Sequence, residues 1–148
     1  MRIFFDACCF FTAFNSSNGA ASLILELARF KHLSIVANNE VVREAYLNLH
    51  KKSDTKKRDH FQRTIESGLI ELLPSPDSQE IEKWKNLTHE KDCHILASAL
   101  LSKVDFVITL DKKHLLTSKV KNNFSIQVIN PGEFLNIFLP KTEPKSPD

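Results

Sequence analysis

Four acidic residues stand at positions where their chemistry matters. Asp6 interrupts the apolar run MRIFFDACCFFTAF, and Asp111 closes the run VDFVITLD. Glu44 lies in NNEVVREAYLNLH and Asp92 in THEKDCHILASALLSK. An isolated ionised carboxyl is costly to bury, so an acid inside the most strand-like stretch of a chain needs a reason. Four carboxylates brought into one crevice repel and raise one another's pKa values, an arrangement that is unfavourable without cations. Hard divalent ions, Mg2+ or Mn2+, relieve the repulsion and prefer oxygen ligands. A pair of such ions roughly 3.5–4 Å apart activates water and stabilises both oxygens of an in-line phosphodiester displacement. That chemistry needs no nucleophile from the protein and no Ser-His-Asp or Cys-His arrangement.

Each acid alone also has a plain structural reading. Asp6 can be a turn former at a strand end, although no Gly or Pro follows it, only more apolar residues. Asp111 can cap the helix that DKKHLL suggests. Asp92 can complement the dipole at the first turn of its helix, and Glu44 has a rival one turn earlier in Glu40. Joint placement is what separates the two readings. In open parallel sheets, functional sites gather beyond the carboxyl ends of the strands. Asp6 and Asp111 follow strands directly, and the helices carrying Glu44 and Asp92 can aim both at the same crevice. Asp105 opens a strand at its other end and is expected to lie apart.

The elements that must position these residues alternate along the chain. Short, continuously apolar segments read as strands: IFF before Asp6, then LSIVA, LIELL, VDFVITL and SIQVI. Between them AASLILELARFKH has helical spacing with Leu23, Leu27 and Phe30 on one face, and NNEVVREAYLNLH has Asn38 or Asn39 as its cap. Residues 80–87, the segment THEKDCHILASALLSK capped by Thr88, DKKHLLTSKV, and PGEFLNIFL with Pro131 in its first turn complete the helices. This alternation predicts an α/β fold, a three-layer α/β/α sandwich around a parallel sheet of about five strands. One domain is expected over 1–139, with 140–148, which carries no apolar residue beyond its prolines, as a disordered tail.

Composition narrows the classes. The chain has 148 residues, 42% hydrophobic and 26% charged, as a single folded domain would. With three glycines and neither GxGxxG nor a Walker-type loop, glycine-rich phosphate binding is excluded. Cys8, Cys9 and Cys93 form no paired metal spacing and read as small buried hydrophobes of a reducing compartment, so a cytoplasmic location is expected. The apolar N-terminus contains an acid and is too short for a membrane span. Of six histidines none pairs at ligand spacing, and His94, next to Cys93 and Asp92, is the one to watch.

Taken in order and spacing, FFDACCFF, NNEVVREAYLNL, KDCHILASAL and VDFVITLDKKHL resemble the PIN domain, over nearly the whole chain. The resemblance implies a metal-dependent nuclease, in many members a ribonuclease, and single-domain bacterial and archaeal members are often VapC-like toxins neutralised by an antitoxin. By it the catalytic and metal-binding acids fall on Asp6, Glu44, Asp92 and Asp111, with Thr109 supporting the last, and Mg2+ or Mn2+ as the cofactor. Cys8 stands where the family's D-x-N/S pattern has a small polar residue. The implied partners are RNA, an antitoxin protein and a second copy of the chain. A catalytically inactive PIN-fold module that binds nucleic acid or acts as a scaffold is the alternative.

The segment from Lys51 to Arg63 is the most basic in the chain, with six Lys and Arg against two Asp. It reads either as a solvated surface or as an arm that contacts RNA phosphate through Lys51, Lys52, Lys56, Lys57 and Arg58. Lys112 and Lys113, directly after Asp111, join that candidate set, and Phe61 and Tyr46 are candidate rings for stacking bases.

Overall fold

The computed structural model describes residues 1–139, and the expectation of a disordered tail at 140–148 falls outside them. Five parallel strands form one sheet: β1 (Arg2–Phe5), β2 (Ser34–Asn38), β3 (Ile70–Leu73), β4 (Phe106–Ile108) and β5 (Gln127–Ile129), in the spatial order β3-β2-β1-β4-β5. Ile3, Phe4 and Phe5 of the central strand are fully buried, which is why this strand reads as an unbroken apolar run. Its register sets Phe4 beside Val36 on one side and Val107 on the other. The chain lays strands outward from β1 to β3, then returns to the other side of β1 with β4. A switch point therefore lies between the carboxyl ends of β1 and β4.

Helices flank the sheet: α1 (Ala7–Asn15), α2 (Ala20–Arg29), α3 (Asn39–Lys52), α4 (Thr55–Glu66), α5 (Ser78–Glu82), α6 (Cys93–Ser102), α7 (Ser118–Asn123) and α8 (Pro131–Phe138). Most begin on a short polar side chain that accepts an N–H of the first turn: Asn38 for α3, Asp54 for α4, Thr117 for α7. Asn130 and Glu133 make a reciprocal capping box at α8, with Pro131 just inside it. Aromatic packing joins sheet to helices. Phe5 meets Phe10 at 5.0 Å between ring centroids, and Phe10 and Phe14 meet Phe61 at 5.8 and 5.2 Å.

The structure departs from the sequence reading in several places. Helix α2 turns Ile24, Leu25 and Ala28 into the core, so Leu23 and Phe30 of the expected apolar face are exposed. The helix expected over 80–87 is the short Ser78–Glu82, and the segment after Asp111 is a turn, with its helix delayed to the Thr117 cap. The residues after Asp6 form helix α1, which the strand-like composition of the run conceals. A 3₁₀ turn (Glu90–Asp92) capped by His89 precedes α6, so that helix starts at Cys93 and not at Thr88. Phe61 is 1% exposed, in the core, and is no stacking ring. No helix among the described residues is long and apolar enough to cross a membrane.

Candidate active site

Asp6 leaves β1 and caps α1 in a single step. Its backbone stays extended (φ −77°, ψ 160°), and its side-chain oxygen accepts the Ala7 N–H. The same carboxylate accepts the Thr109 hydroxyl at 2.7 Å and the Cys8 thiol at 3.3 Å. Asp6 is 6% exposed, directly after the carboxyl end of β1. Burial raises its pKa, the bonds from Thr109, Ala7 and Cys8 oppose that, and the Asp111 charge adds to the rise. A buried carboxylate held by three donors is fixed in orientation, and these donors are all neutral.

Asp111 follows β4 across the switch point. Its N–H rests on the Thr109 hydroxyl at 3.1 Å, and its Oδ1 accepts the N–H groups of Lys113 and His114, both at 3.0 Å. Its side chain thus closes the turn that carries Lys112 and Lys113 over the strand end. Glu44 projects from the second turn of α3, and Asp92 from the junction of the 3₁₀ turn with α6.

These acids share one open cavity of about 730 Å3, lined by Glu44, Asp92 and Asp111 together with Glu40, His94 and residues of the rim. Their fields overlap. Asp92, half-buried, is pushed up to about 6 by desolvation first, then by Asp111 and Asp6, with His114 pulling the other way. Glu44 is raised by partial desolvation and then by Asp6, Asp111 and Glu40, against Lys91. The sequence-predicted set Asp6, Glu44, Asp92 and Asp111 is therefore gathered at one end of the sheet. Asp105 is at the other, accepting the Arg2 N–H at 2.8 Å.

Hard oxygen donors under mutual repulsion, with no arginine or lysine among the described residues bonded to any of the four, are a donor set that suits Mg2+ or Mn2+. Among the described residues no three His, Cys, Asp or Glu side chains already surround a common point at coordinating distance. The fit is one of chemistry and placement, with the acids brought to a common crevice.

Sequence reasoning passed over a buried polar network beneath this crevice. Asn38 caps α3 by accepting the Val41 N–H at 2.9 Å. Its amide nitrogen then donates to His94 Nδ1 and to Ser98 Oγ, each at 2.9 Å. Because the Asn38 oxygen is committed to the cap, His94 Nδ1 is the acceptor and the ring proton sits on Nε2. That nitrogen faces Glu40 at 3.7 Å. Burial lowers the His94 pKa, so this is a neutral N–H set towards a carboxylate and not an ion pair. The signal for this network was the apolar α6 sequence that nonetheless includes His94 and Ser98.

The basic segment divides. Lys51, at the end of α3, lines the cavity with Arg43, a residue the sequence reading did not single out. Lys57 instead donates to the Asn15 carbonyl at 2.9 Å, Arg58 bonds His50 Nδ1 at 2.8 Å, and Lys52 lies over the Phe11 ring at 6.0 Å. Lys56, Lys112 and Lys113 are exposed. The cavity rim also carries His89, Lys91 and His114, likewise missed by the sequence reading.

Comparison with known proteins agrees with this geometry. A sequence model of the PIN domain matches residues 2–113, and the chain belongs to the PIN domain family. No curated protein sequence matches the chain. Among solved structures, FitAcB of Neisseria gonorrhoeae is similar with a TM-score of 0.61 at 16% identity, over 88% of this chain and 98% of that one. VapC20 of Mycobacterium tuberculosis, described as a toxin that cleaves the sarcin-ricin loop, is similar with a TM-score of 0.58 at 15% identity, over 82% and 95%. FitAB bound to an IR36 DNA fragment is similar with a TM-score of 0.59 at 16% identity, over 87% and 94%. At these identities the likeness is one of fold.

Proposed function

We propose that the chain is a Mg2+- or Mn2+-dependent endoribonuclease that hydrolyses RNA phosphodiester bonds at the cavity lined by Glu44, Asp92 and Asp111, with the buried Asp6 beside it. The observation that carries this reading is the concentration of four mutually repelling carboxylates at the switch point of a PIN-domain sheet. Asp6 and Asp111 would hold the metal most directly, and Asp92 and Glu44 would complete the donor set and orient water. A divalent ion there would supply water activation and charge stabilisation for phosphodiester hydrolysis. The chain's part is positional. Thr109 fixes the Asp6 carboxylate, the α3 helix sets Glu44 across the cavity, and Arg43 and Lys51 draw the RNA backbone to the rim.

The likeness to VapC20 supports a role as the toxin of a toxin-antitoxin pair, with an antitoxin as partner, and the FitAB assembly supports association with a second protein. A homodimer is part of the same reading.

Cleavage of a labelled single-stranded RNA by wild type and Asp6→Asn, in Mn2+ or in chelator, is the test. Cleavage that requires the metal and disappears in the variant is the expected outcome. A parallel thermal melt distinguishes the alternatives, because a ligand at a hundred times its Kd stabilises by about 2.7 kcal/mol. Mn2+ stabilisation with RNA binding but no cleavage would make the chain an inactive PIN-fold binding module. No stabilisation and no cleavage would remove the carboxylate site itself.

A further inference from the structure

Two imidazoles on the cavity rim have no part in a carboxylate metal site. His89 precedes the 3₁₀ turn and His114 lies in the turn after Asp111, yet their rings meet at 4.7 Å between centroids with 40° between planes. Both line the cavity that holds the acids. The pair is anchored from below. The Thr88 hydroxyl donates to the His114 carbonyl at 2.6 Å, the His114 N–H is held by Asp111, and His89 Nδ1 accepts the Lys91 N–H at 3.1 Å. His114 is half-buried and His89 exposed, so the inner ring packs against the outer one, and the outer ring is open to solvent on the cavity lining.

The surroundings tell which ligand such a face suits. Arg43, Lys51 and Lys91 provide charge for phosphate, and Leu47 adds an apolar side chain to the lining. A flat aromatic surface beside a phosphate-handling site recognises the π-face of a nucleobase, and every base has one. In a duplex that face is already covered by its neighbours, whereas single strands, loops and bulges can turn a base outward.

We propose that His89, backed by His114, is a stacking platform for an unpaired nucleobase adjacent to the phosphate held over the carboxylates. The inference rests on the nuclease reading for the identity of the ligand as RNA, and it makes that RNA unpaired at the site. His114 acts as a positioning residue and His89 touches the substrate. The contact is sequence-tolerant and uses the ring face, so it needs no particular protonation state.

Single-stranded oligoribonucleotides carrying 2-aminopurine at successive positions test this, bound to the full chain bearing Asp6→Asn so that the RNA stays whole. Stacking quenches the probe, so one position is expected to darken on binding. Adding His89→Ala is expected to abolish that quench and weaken binding about tenfold, the scale of one lost base stack. His89→Phe, which keeps the flat face but loses the bond to Lys91, is expected to restore both. A quench unchanged in His89→Ala overturns the platform, and so does a Phe variant that fails to restore it, because the role would then lie in the ring nitrogens. Cleavage by wild type distinguishes the two readings. Cleavage without any quenched position overturns the platform alone, and quench without cleavage supports the platform while the nuclease reading fails.

Discussion

Thr109 donates its hydroxyl to Asp6 at 2.7 Å and in the same position accepts the N–H of Asp111 at 3.1 Å. One fully buried hydroxyl thus joins the two acids that leave adjacent strands at the switch point. Thr109→Val keeps the shape of the side chain and strips this bridge. It leaves the part-buried Asp111 N–H without its partner and the buried Asp6 oxygen with only the weak Cys8 thiol, and is expected to cost about 1–3 kcal/mol. Urea unfolding measures that loss, and a Mn2+ titration should show weaker binding in the same variant. Thr109→Ser, which keeps the hydroxyl, is expected to stay near wild type in both. A Val variant as stable as wild type would mean that the bridge contributes little.

Asp92 makes the site's stability depend on pH in a definite direction. Its folded pKa of about 6 lies above the ordinary 3.8, so the fold favours the protonated acid. The stabilisation is complete below the unfolded value and disappears as pH rises through about 6. Asp92→Asn is therefore expected to stabilise the metal-free chain at pH 7 and to leave it unchanged near pH 4. Two units correspond to at most about 3 kcal/mol, and half-exposure discounts this to about 1–2 kcal/mol. Thermal melts in chelator at the two pH values read the difference, expected to be about 3–6 °C at pH 7. Saturating Mn2+ should reverse the order, because wild type then gains a ligand that the variant holds poorly. Equal melting temperatures at pH 7 in chelator would rule this out.

Much of the scaffold was legible because parallel strands buried on both faces must be continuously apolar, and IFF, LSIVA and VDFVITL are. The placement of Asp6 and Asp111 at one end of the sheet was legible because each directly follows such a strand, although each also has a local structural task, Asp6 as the cap of α1 and Asp111 in its turn. Helix α1 was hidden by the same composition that revealed β1. Its signal was present in the three- and four-residue spacing of Ala7, Phe10 and Phe14, with Asp6 as an eligible cap. What no spacing could supply were the contacts made by distant segments. Cys8 reads as a small buried hydrophobe, yet it is half-buried, bonds Asp6 and also accepts the Leu110 N–H at 3.4 Å. His89 and His114 are well separated in sequence and adjacent in space. Lys57 and Arg58 look like neighbours of Lys51 in a charge run, but a new helix begins between them, and only Lys51 reaches the cavity.

Asn38 holds three elements at once: the end of β2, the start of α3 and the interior of α6. Asn38→Ala removes the cap and leaves His94 Nδ1 without its donor. The loss is expected to be about 2–4 kcal/mol, combining a missing cap with an unsatisfied buried acceptor. Asn38→Asp separates the two parts. It keeps an oxygen for the Val41 N–H but sets a carboxylate against His94 Nδ1, which can bond it only by carrying a proton. The expected result is a smaller loss of stability in urea and a His94 pKa raised from its burial-lowered value, read by NMR titration. An unchanged His94 titration in the Asp variant would contradict the tautomer assigned here.

Lys51 and Lys57 offer the sharpest test of where the RNA lies. Lys51 lines the carboxylate cavity, whereas the Lys57 ammonium is bonded to the Asn15 carbonyl, tying α4 to the end of α1. A lysine that neutralises one phosphate releases about one counterion, so its loss weakens binding at all sequences and lowers the salt slope by about one. Lys51→Ala is expected to do both to single-stranded RNA held by the Asp6→Asn chain, while leaving the melting temperature unchanged. Lys57→Ala is expected to leave affinity and salt slope as they are and to lower the melting temperature slightly, since it opens a contact between helices. Anisotropy titrations at several salt concentrations separate the two. If the Lys57 variant alone lost affinity, the RNA would run along α4 and away from the acids, and the cavity would no longer be where the backbone is cut.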